Sequence, residues 1–103
     1  MNDLSLYRCL ASPTRLAALK RLRESGEVCV GDLGEAIGSE QTNLSHQLRE
    51  LRACGLVTSR QDGKRVYYRI AHATLVELLA LTERLAEHAA CTDPVECEQA
   101  GCC

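Results

Sequence analysis

The sequence predicts a mainly α-helical fold with a single β-hairpin, and two observations support that prediction. Apolar residues recur at the three- and four-residue spacing of amphipathic helices over most of the chain. The exception is the central segment, where two β-rich runs, residues 56–60 and 65–70, flank Asp62 and Gly63. An Asp-Gly pair between two such runs is a strong hairpin signal.

Three helices are predicted in the first part of the chain. A short one covers residues 4–10. Ser12 and Pro13 mark the start of the second, because serine caps a helix and proline is tolerated at its first position. The third covers residues 28–37, and Gly38 ends it.

A fourth helix, residues 39–53, follows at once, with Ser39 as its expected cap. Its leucines form one apolar face and its polar residues form the other. Two helices joined by a tight turn, the second of them polar on one side, make a helix-turn-helix. The hairpin that follows is expected to be its wing, so the predicted fold is a winged helix-turn-helix. A long amphipathic helix, residues 74–90, comes last.

The chain is predicted to form one DNA-binding and dimerisation domain, residues 1–90, followed by a cysteine-rich tail, residues 91–103. With no Trp and no Phe, the core must consist of smaller aliphatic side chains and is thin for a monomer. We therefore expect a homodimer held by the helices near residues 3–11 and 74–90. No signal peptide and no apolar run of membrane-spanning length is visible, which predicts a cytoplasmic protein.

The net charge of −2 conceals a basic centre and an acidic end. Residues 41–70 contain six basic residues and two acidic ones, a net charge of +4. Residues 71–103 contain six acidic residues and only Arg84 as a base. A surface for DNA would therefore have to lie in the central segment.

The polar face of the fourth helix is suited to reading base edges. Short polar groups and arginine match the donor and acceptor pattern of the major groove, and basic residues of a wing can contact phosphates. The alternative is that this is the solvated face of an ordinary surface helix. The predicted DNA-binding residues are Gln41, Thr42, Asn43, Ser45, His46, Arg49, Lys64 and Arg65.

Three stretches, LASPTRLAALKRL, GEVCVGDL and NLSHQLRELRACGLVTSRQDGKRVYYRI, resemble a known family. Over residues 8–90 the chain is similar to the ArsR/SmtB family of metal-sensing transcriptional repressors. The resemblance implies a homodimer that binds double-stranded operator DNA and releases it when an inducer binds. An enzyme is not expected, because no nucleophile–base spacing or glycine-rich phosphate loop is visible. The alternative function that does not involve DNA is that of an adaptor that mediates contacts between proteins.

The resemblance also implies three sensor sites, and each would be incomplete in this chain. The site on the third helix would keep only Cys29. The site that joins the recognition helix to the tail would keep Cys54 but has Glu50 in place of a second cysteine. The zinc site of the last helix would fall on His72, Thr74, Leu85 and His88, two of which ligate poorly.

The inducer ligands are predicted in the tail instead. Soft thiolates select soft acceptors, which favours trivalent arsenic or antimony, inorganic or methylated. Cadmium or lead is the alternative inducer, and a redox switch that oxidises Cys102 and Cys103, with each other or with Cys97, is the other alternative. The predicted ligands are Cys97, Cys102 and Cys103, with Cys91 in reserve.

A disulfide framework is not expected among the seven cysteines. Their number is odd, and thiols stay reduced in the expected compartment. Cys9 and Cys54 are therefore expected to be small buried apolar residues.

Overall fold

The computed structural model describes residues 1–89, and within them it contains five helices and three strands. The elements are α1 (Asp3–Leu10), α2 (Pro13–Ser25), β1 (Val28–Cys29), α3 (Val30–Ile37), α4 (Gln41–Ala53), β2 (Val57–Asp62), β3 (Arg65–Ile70) and α5 (Ala73–His88). This confirms the predicted mainly helical fold with one hairpin. The tail lies outside the described residues, so the domain boundary at residue 90 stays a prediction.

The sheet has three antiparallel strands in the order β1-β3-β2. Its third strand corrects the sequence prediction, which assigned Val28 and Cys29 to a helix. These two residues pair with Tyr68 and Tyr67 of β3 instead. The edge of β3 left open by the hairpin supplies backbone partners, and that tertiary pairing prevails over the local helical pattern.

The helix ends confirm some of the predicted capping residues and correct one of them. Ser12 caps α2 as predicted, because its hydroxyl accepts a hydrogen bond from the Arg15 amide at 3.3 Å. Gly38 ends α3 with a left-handed φ of 69°, a conformation that glycine adopts without strain. The expected cap at Ser39 is wrong: α4 begins one residue later, after Glu40, and the Ser39 hydroxyl donates to the Glu40 carbonyl.

Leucine is the main residue of the core. The largest fully buried side chains come from α2, α3, α4, β2 and α5: Leu19, Leu22, Leu33, Leu44, Leu48, Leu51, Val57 and Leu79. Burying each such side chain contributes about 1.5–3 kcal/mol. The inward leucines of α4 are thus confirmed. Leu85, predicted on the apolar face of the last helix, is 69% exposed, so the far half of α5 lies outside the core of this chain.

Gly34 of α3 lies close to the turn before α4 and to α4 itself. A Cβ atom at this position would lie 3.1 Å from the Ser39 carbonyl oxygen and 3.6 Å from Leu44 Cδ2. Glycine therefore lets the two helices of the helix-turn-helix approach closely. No helix within residues 1–89 combines the length and the apolar character needed to cross a membrane.

Two of the cysteines form a disulfide, which corrects the expectation of two separate buried thiols. The Sγ atoms of Cys9 and Cys54 are bonded, and their Cα atoms lie 6.7 Å apart. The two residues are 45 positions apart in the sequence, so their proximity is a product of the tertiary fold. Cys29 is a buried free thiol.

Candidate nucleic-acid interface and thiol sites

The α4 helix presents the predicted base-reading residues to solvent. Its apolar face, with Leu44, Leu48 and Leu51, is buried against the body of the protein. The opposite face is therefore turned outward. Of the predicted residues on it, Ser45 is half-buried and the others are exposed: Gln41, Thr42, Asn43, His46 and Arg49. All of them except Arg49 lie in the first half of the helix, which is the part of a recognition helix that reaches base edges.

The wing places two further cations at its tip. Asp62 pairs with Arg65, so Gly63 and Lys64 form the loop between β2 and β3. Gly63 has a φ of 62°, a left-handed value that suits glycine in a tight hairpin loop. Lys64 and Arg65 are both exposed. The Asp-Gly signal in the sequence is thus confirmed, although β2 extends two residues further than predicted.

A single cleft joins the recognition helix to the wing. Its volume is about 520 Å³, and it opens between α3, the start of α4 and the hairpin tip. Gln41 and Ser45 line it from α4, and Lys64 and Arg65 line it from the wing. The structure therefore brings together predicted DNA-binding residues that are about twenty positions apart in the sequence.

The cations of this surface form no ion pair in the described part of the chain. Within residues 1–89, Arg49, Lys64 and Arg65 form no ion pair with a carboxylate. Asp32 and Glu35 of α3 line the same cleft, and His46 lies 4.0 Å from Glu50. These cations are thus available to phosphate or base oxygens.

Arg60 differs from these residues because its guanidinium forms an ion pair within the protein. Nη2 and Nε of Arg60 donate to the two carboxylate oxygens of Glu27, at 2.6 and 3.3 Å. The guanidinium also lies 4.8 Å from the centre of the Tyr67 ring. This hydrogen bonding lowers the pKa of Glu27. Arg60 therefore ties the base of the wing to the loop before β1.

A similar pair attaches α5 to α2. The guanidinium of Arg23 donates to both carboxylate oxygens of Glu83, and Lys20 lies 3.9 Å from the same carboxylate. The hydrogen bonds from Arg23 lower the pKa of Glu83. Ion pairs thus link the last helix and the wing to the body, while Arg49 on the outward face of α4 has no such partner within residues 1–89.

Gln47 is a structural residue that sequence reasoning missed. Its Oε1 accepts a hydrogen bond of 2.7 Å from Nε of Arg15 in α2, and Nη1 of Arg15 donates to the Cys9 carbonyl at 3.3 Å. A helical signal was available, because residue 47 lies three positions after Leu44 and four before Leu51 and thus beside the buried face. Gln47 therefore anchors α4 to α2.

The described thiols do not form a metal site by themselves. Within residues 1–89 there is no group of three or more Cys, His, Asp or Glu side chains placed to hold a metal ion. Cys29 is buried at the start of α3, and Cys9 and Cys54 are bonded to each other. The predicted inducer ligands Cys91, Cys97, Cys102 and Cys103 all lie outside the described residues.

Comparison with known families gives a match over the helix-turn-helix. The model of the family described as bacterial regulatory protein, arsR family, matches residues 12–59, from the cap of α2 into β2. Among curated proteins, the chain is 42% identical over 84 residues to the HTH-type transcriptional regulator NmtR of Mycobacterium tuberculosis, covering 82% of this chain and 69% of the relative. It is 41% identical over 68 residues to the arsenical resistance operon repressor of Escherichia coli, covering 66% and 58%.

Solved structures give the same picture. The AntR antimony-specific transcriptional repressor superposes with a TM-score of 0.75 at 33% identity, covering 82% of this chain and 76% of the other. A homodimeric winged helix-turn-helix DNA-binding domain from Mycobacterium bovis superposes with a TM-score of 0.71 at 38% identity, covering 81% and 77%. The likeness thus extends well beyond the residues that the family model matches.

Proposed function

The chain belongs to the arsR family of bacterial regulatory proteins, and from that premise we propose that it is a homodimeric repressor that trivalent arsenic or antimony releases from operator DNA. Its relatives are transcriptional regulators, so the chain is a DNA-binding regulator and not an enzyme. The observation that supports the DNA surface is the shared cleft. Polar groups of α4 and cations of the wing meet there, and Lys64 and Arg65 form no ion pair within residues 1–89, although Asp32 and Glu35 line the α3 side of the cleft.

The exposed apolar side chains support the proposed homodimer. The large apolar residues that remain exposed all lie in the first and last elements of residues 1–89: Met1, Leu4, Tyr7, Leu81 and Leu85, each between 52% and 71% exposed. We propose that these side chains contribute to one apolar surface, which would be typical of an interface. A second copy would cover it, and the solved relative from Mycobacterium bovis is homodimeric.

The inducer is proposed from the chemistry of the thiols and the names of relatives. One relative is an arsenical resistance operon repressor and another is an antimony-specific repressor. A three-thiolate site within one chain would have to use the tail, because residues 1–89 contain no group of three ligands. We assign the ligands to Cys97, Cys102 and Cys103, with Cys91 in reserve. Cadmium, lead and thiol oxidation are the alternatives.

The test uses operator DNA that the reduced protein itself selects from a random-sequence duplex library. Fluorescence anisotropy of this duplex is followed during titration with arsenite, a monomethyl arsenical, antimonite, cadmium, lead and zinc. The double variant Cys102→Ser with Cys103→Ser should bind the duplex normally and lose release by every arsenical and by antimonite. Cys29→Ser is the matched control and should respond like the natural protein. Release that persists in the double variant, or that is lost in Cys29→Ser, would place the sensor on the helices.

A further inference from the structure

We propose that Cys9 and Cys54 form a reversible thiol–disulfide switch that locks the recognition helix to α1 and weakens operator binding when it is oxidised. The proposal rests on DNA binding by α4 but does not involve the tail thiols or a metalloid. It assigns an oxidation site on the helices, whereas the redox alternative considered above used Cys97, Cys102 and Cys103. In a reducing compartment, a disulfide of this kind forms transiently and has a regulatory role, and it is not a permanent structural bond.

The position of the disulfide carries the first step. Cys9 lies in the last turn of α1, and Cys54 is the residue at which α4 ends. The Sγ–Sγ bond therefore attaches the end of the recognition helix to a helix outside the helix-turn-helix. Cys54 is half-buried and Cys9 is 9% exposed, so an oxidant reaches the pair from the Cys54 side.

A second, non-covalent link holds the middle of α4. Arg15 bridges the Cys9 carbonyl and the Gln47 side chain, at 3.3 and 2.7 Å. The inward leucines of α4 are also fully buried. The helix is thus already oriented when the thiols are reduced. The covalent bond adds little further order to the helix. Its main effect is to prevent the C-terminal end of α4 from shifting when the protein binds DNA.

The α1 helix connects this lock to the proposed dimer surface. Leu4 and Tyr7 of α1 are 59% and 60% exposed and belong to the apolar surface that a second copy would cover. Two recognition helices of a dimer must enter successive major grooves about one helical turn apart. Fixing the end of α4 to the dimer helix restricts that fit, so the oxidised form should bind DNA more weakly.

The chemistry balances with a peroxide as oxidant and a dithiol as reductant. The Cys54 thiolate attacks hydrogen peroxide, an S–O bond forms as the O–O bond breaks, and hydroxide leaves and takes up a proton. The Cys9 thiolate then attacks the Cys54 sulfur and displaces the sulfenic oxygen as a second water. In the reverse direction a dithiol reductant returns two thiols and is itself converted to a disulfide.

The experiment isolates this pair from the tail. The full chain with Cys91, Cys97, Cys102 and Cys103 each changed to Ser keeps both Cys9 and Cys54. It is reduced with dithiothreitol or oxidised with hydrogen peroxide, and mass spectrometry confirms the loss of two hydrogens. Binding to the selected operator duplex is then measured by anisotropy. We expect oxidation to weaken binding about tenfold, a typical coupling between two sites, and dithiothreitol to restore it.

Two variants in the same tail-free background complete the test. Cys9→Ser should bind the duplex equally well with and without peroxide, while Cys29→Ser should keep the full response. Circular dichroism and urea unfolding of both redox forms show whether the oxidised protein remains folded. Equal or tighter binding by the folded oxidised form would overturn the switch and leave the disulfide a stabilising bond only. A reduced protein that selects no duplex would instead refute the proposed repressor function.

Discussion

The two sides of α4 differ in how their polar side chains are satisfied. On the inner side, Gln47 accepts a hydrogen bond from Arg15. Arg52, although exposed, donates to the Ser59 hydroxyl of β2 at 2.9 Å. On the outer side, Arg49 is exposed and has no carboxylate partner within residues 1–89. Gln47 and Arg52 thus have hydrogen-bond partners within the protein, whereas Arg49, a proposed DNA contact, is left available to a ligand. The same contrast separates Arg60, held by Glu27, from Lys64 at the wing tip.

The largest effect should come from removing a buried leucine on the inner side. Leu44 is fully buried between α3 and α4, so Leu44→Ala should lower the free energy of unfolding by about 2–5 kcal/mol through lost burial and a cavity. Urea denaturation measures this change. Thr42→Ala, two positions away on the outer face, is the control and should unfold at nearly the same urea concentration. Equal destabilisation by the two variants would contradict the assignment of one face of α4 to the core and the other to solvent.

An intermediate effect is expected on the outer side, in affinity and not in stability. Arg49→Ala should weaken binding to the selected duplex by about 1–3 kcal/mol if the side chain reads a base, and it should leave the urea midpoint unchanged. Anisotropy at constant salt measures the affinity. Arg52→Ala is the matched control, because it removes the same charge from the same helix at a position turned towards β2. A similar loss of affinity in both variants would mean that only net charge matters.

The smallest effect should come from the hydrogen bond that anchors α4. Gln47→Ala leaves Nε of Arg15 without its acceptor and should cost about 1 kcal/mol of stability, the usual net value of one such bond. Base preference in the library selection should not change. Gln41→Ala, an exposed residue at the start of α4, should show the opposite pattern, with altered base preference and unchanged stability. Altered base preference in Gln47→Ala would show that Gln47 also contributes to base recognition.

Much of the proposed DNA surface could be predicted because its signals are local. Gly63 favours the left-handed conformation of the hairpin loop, and Ser12 caps α2 through the amide of Arg15, only three residues further along. The leucine spacing of α4 determined which face is buried and hence which polar residues are exposed. The tail ligands were predicted from composition alone, and they stay predictions because they lie outside residues 1–89.

The sequence by itself thus determined the helix-turn-helix, the wing and the polar outer face of α4, since each depends on residues within about one helix or hairpin of one another. The tertiary structure decided the rest. Only the folded chain brings Val28 to the edge of β3, Arg15 to Gln47 and Cys9 to Cys54. These contacts join residues 32 to 45 positions apart. Such contacts cannot be predicted from the local spacing of apolar residues, because several helices must first pack together and bring these distant residues close.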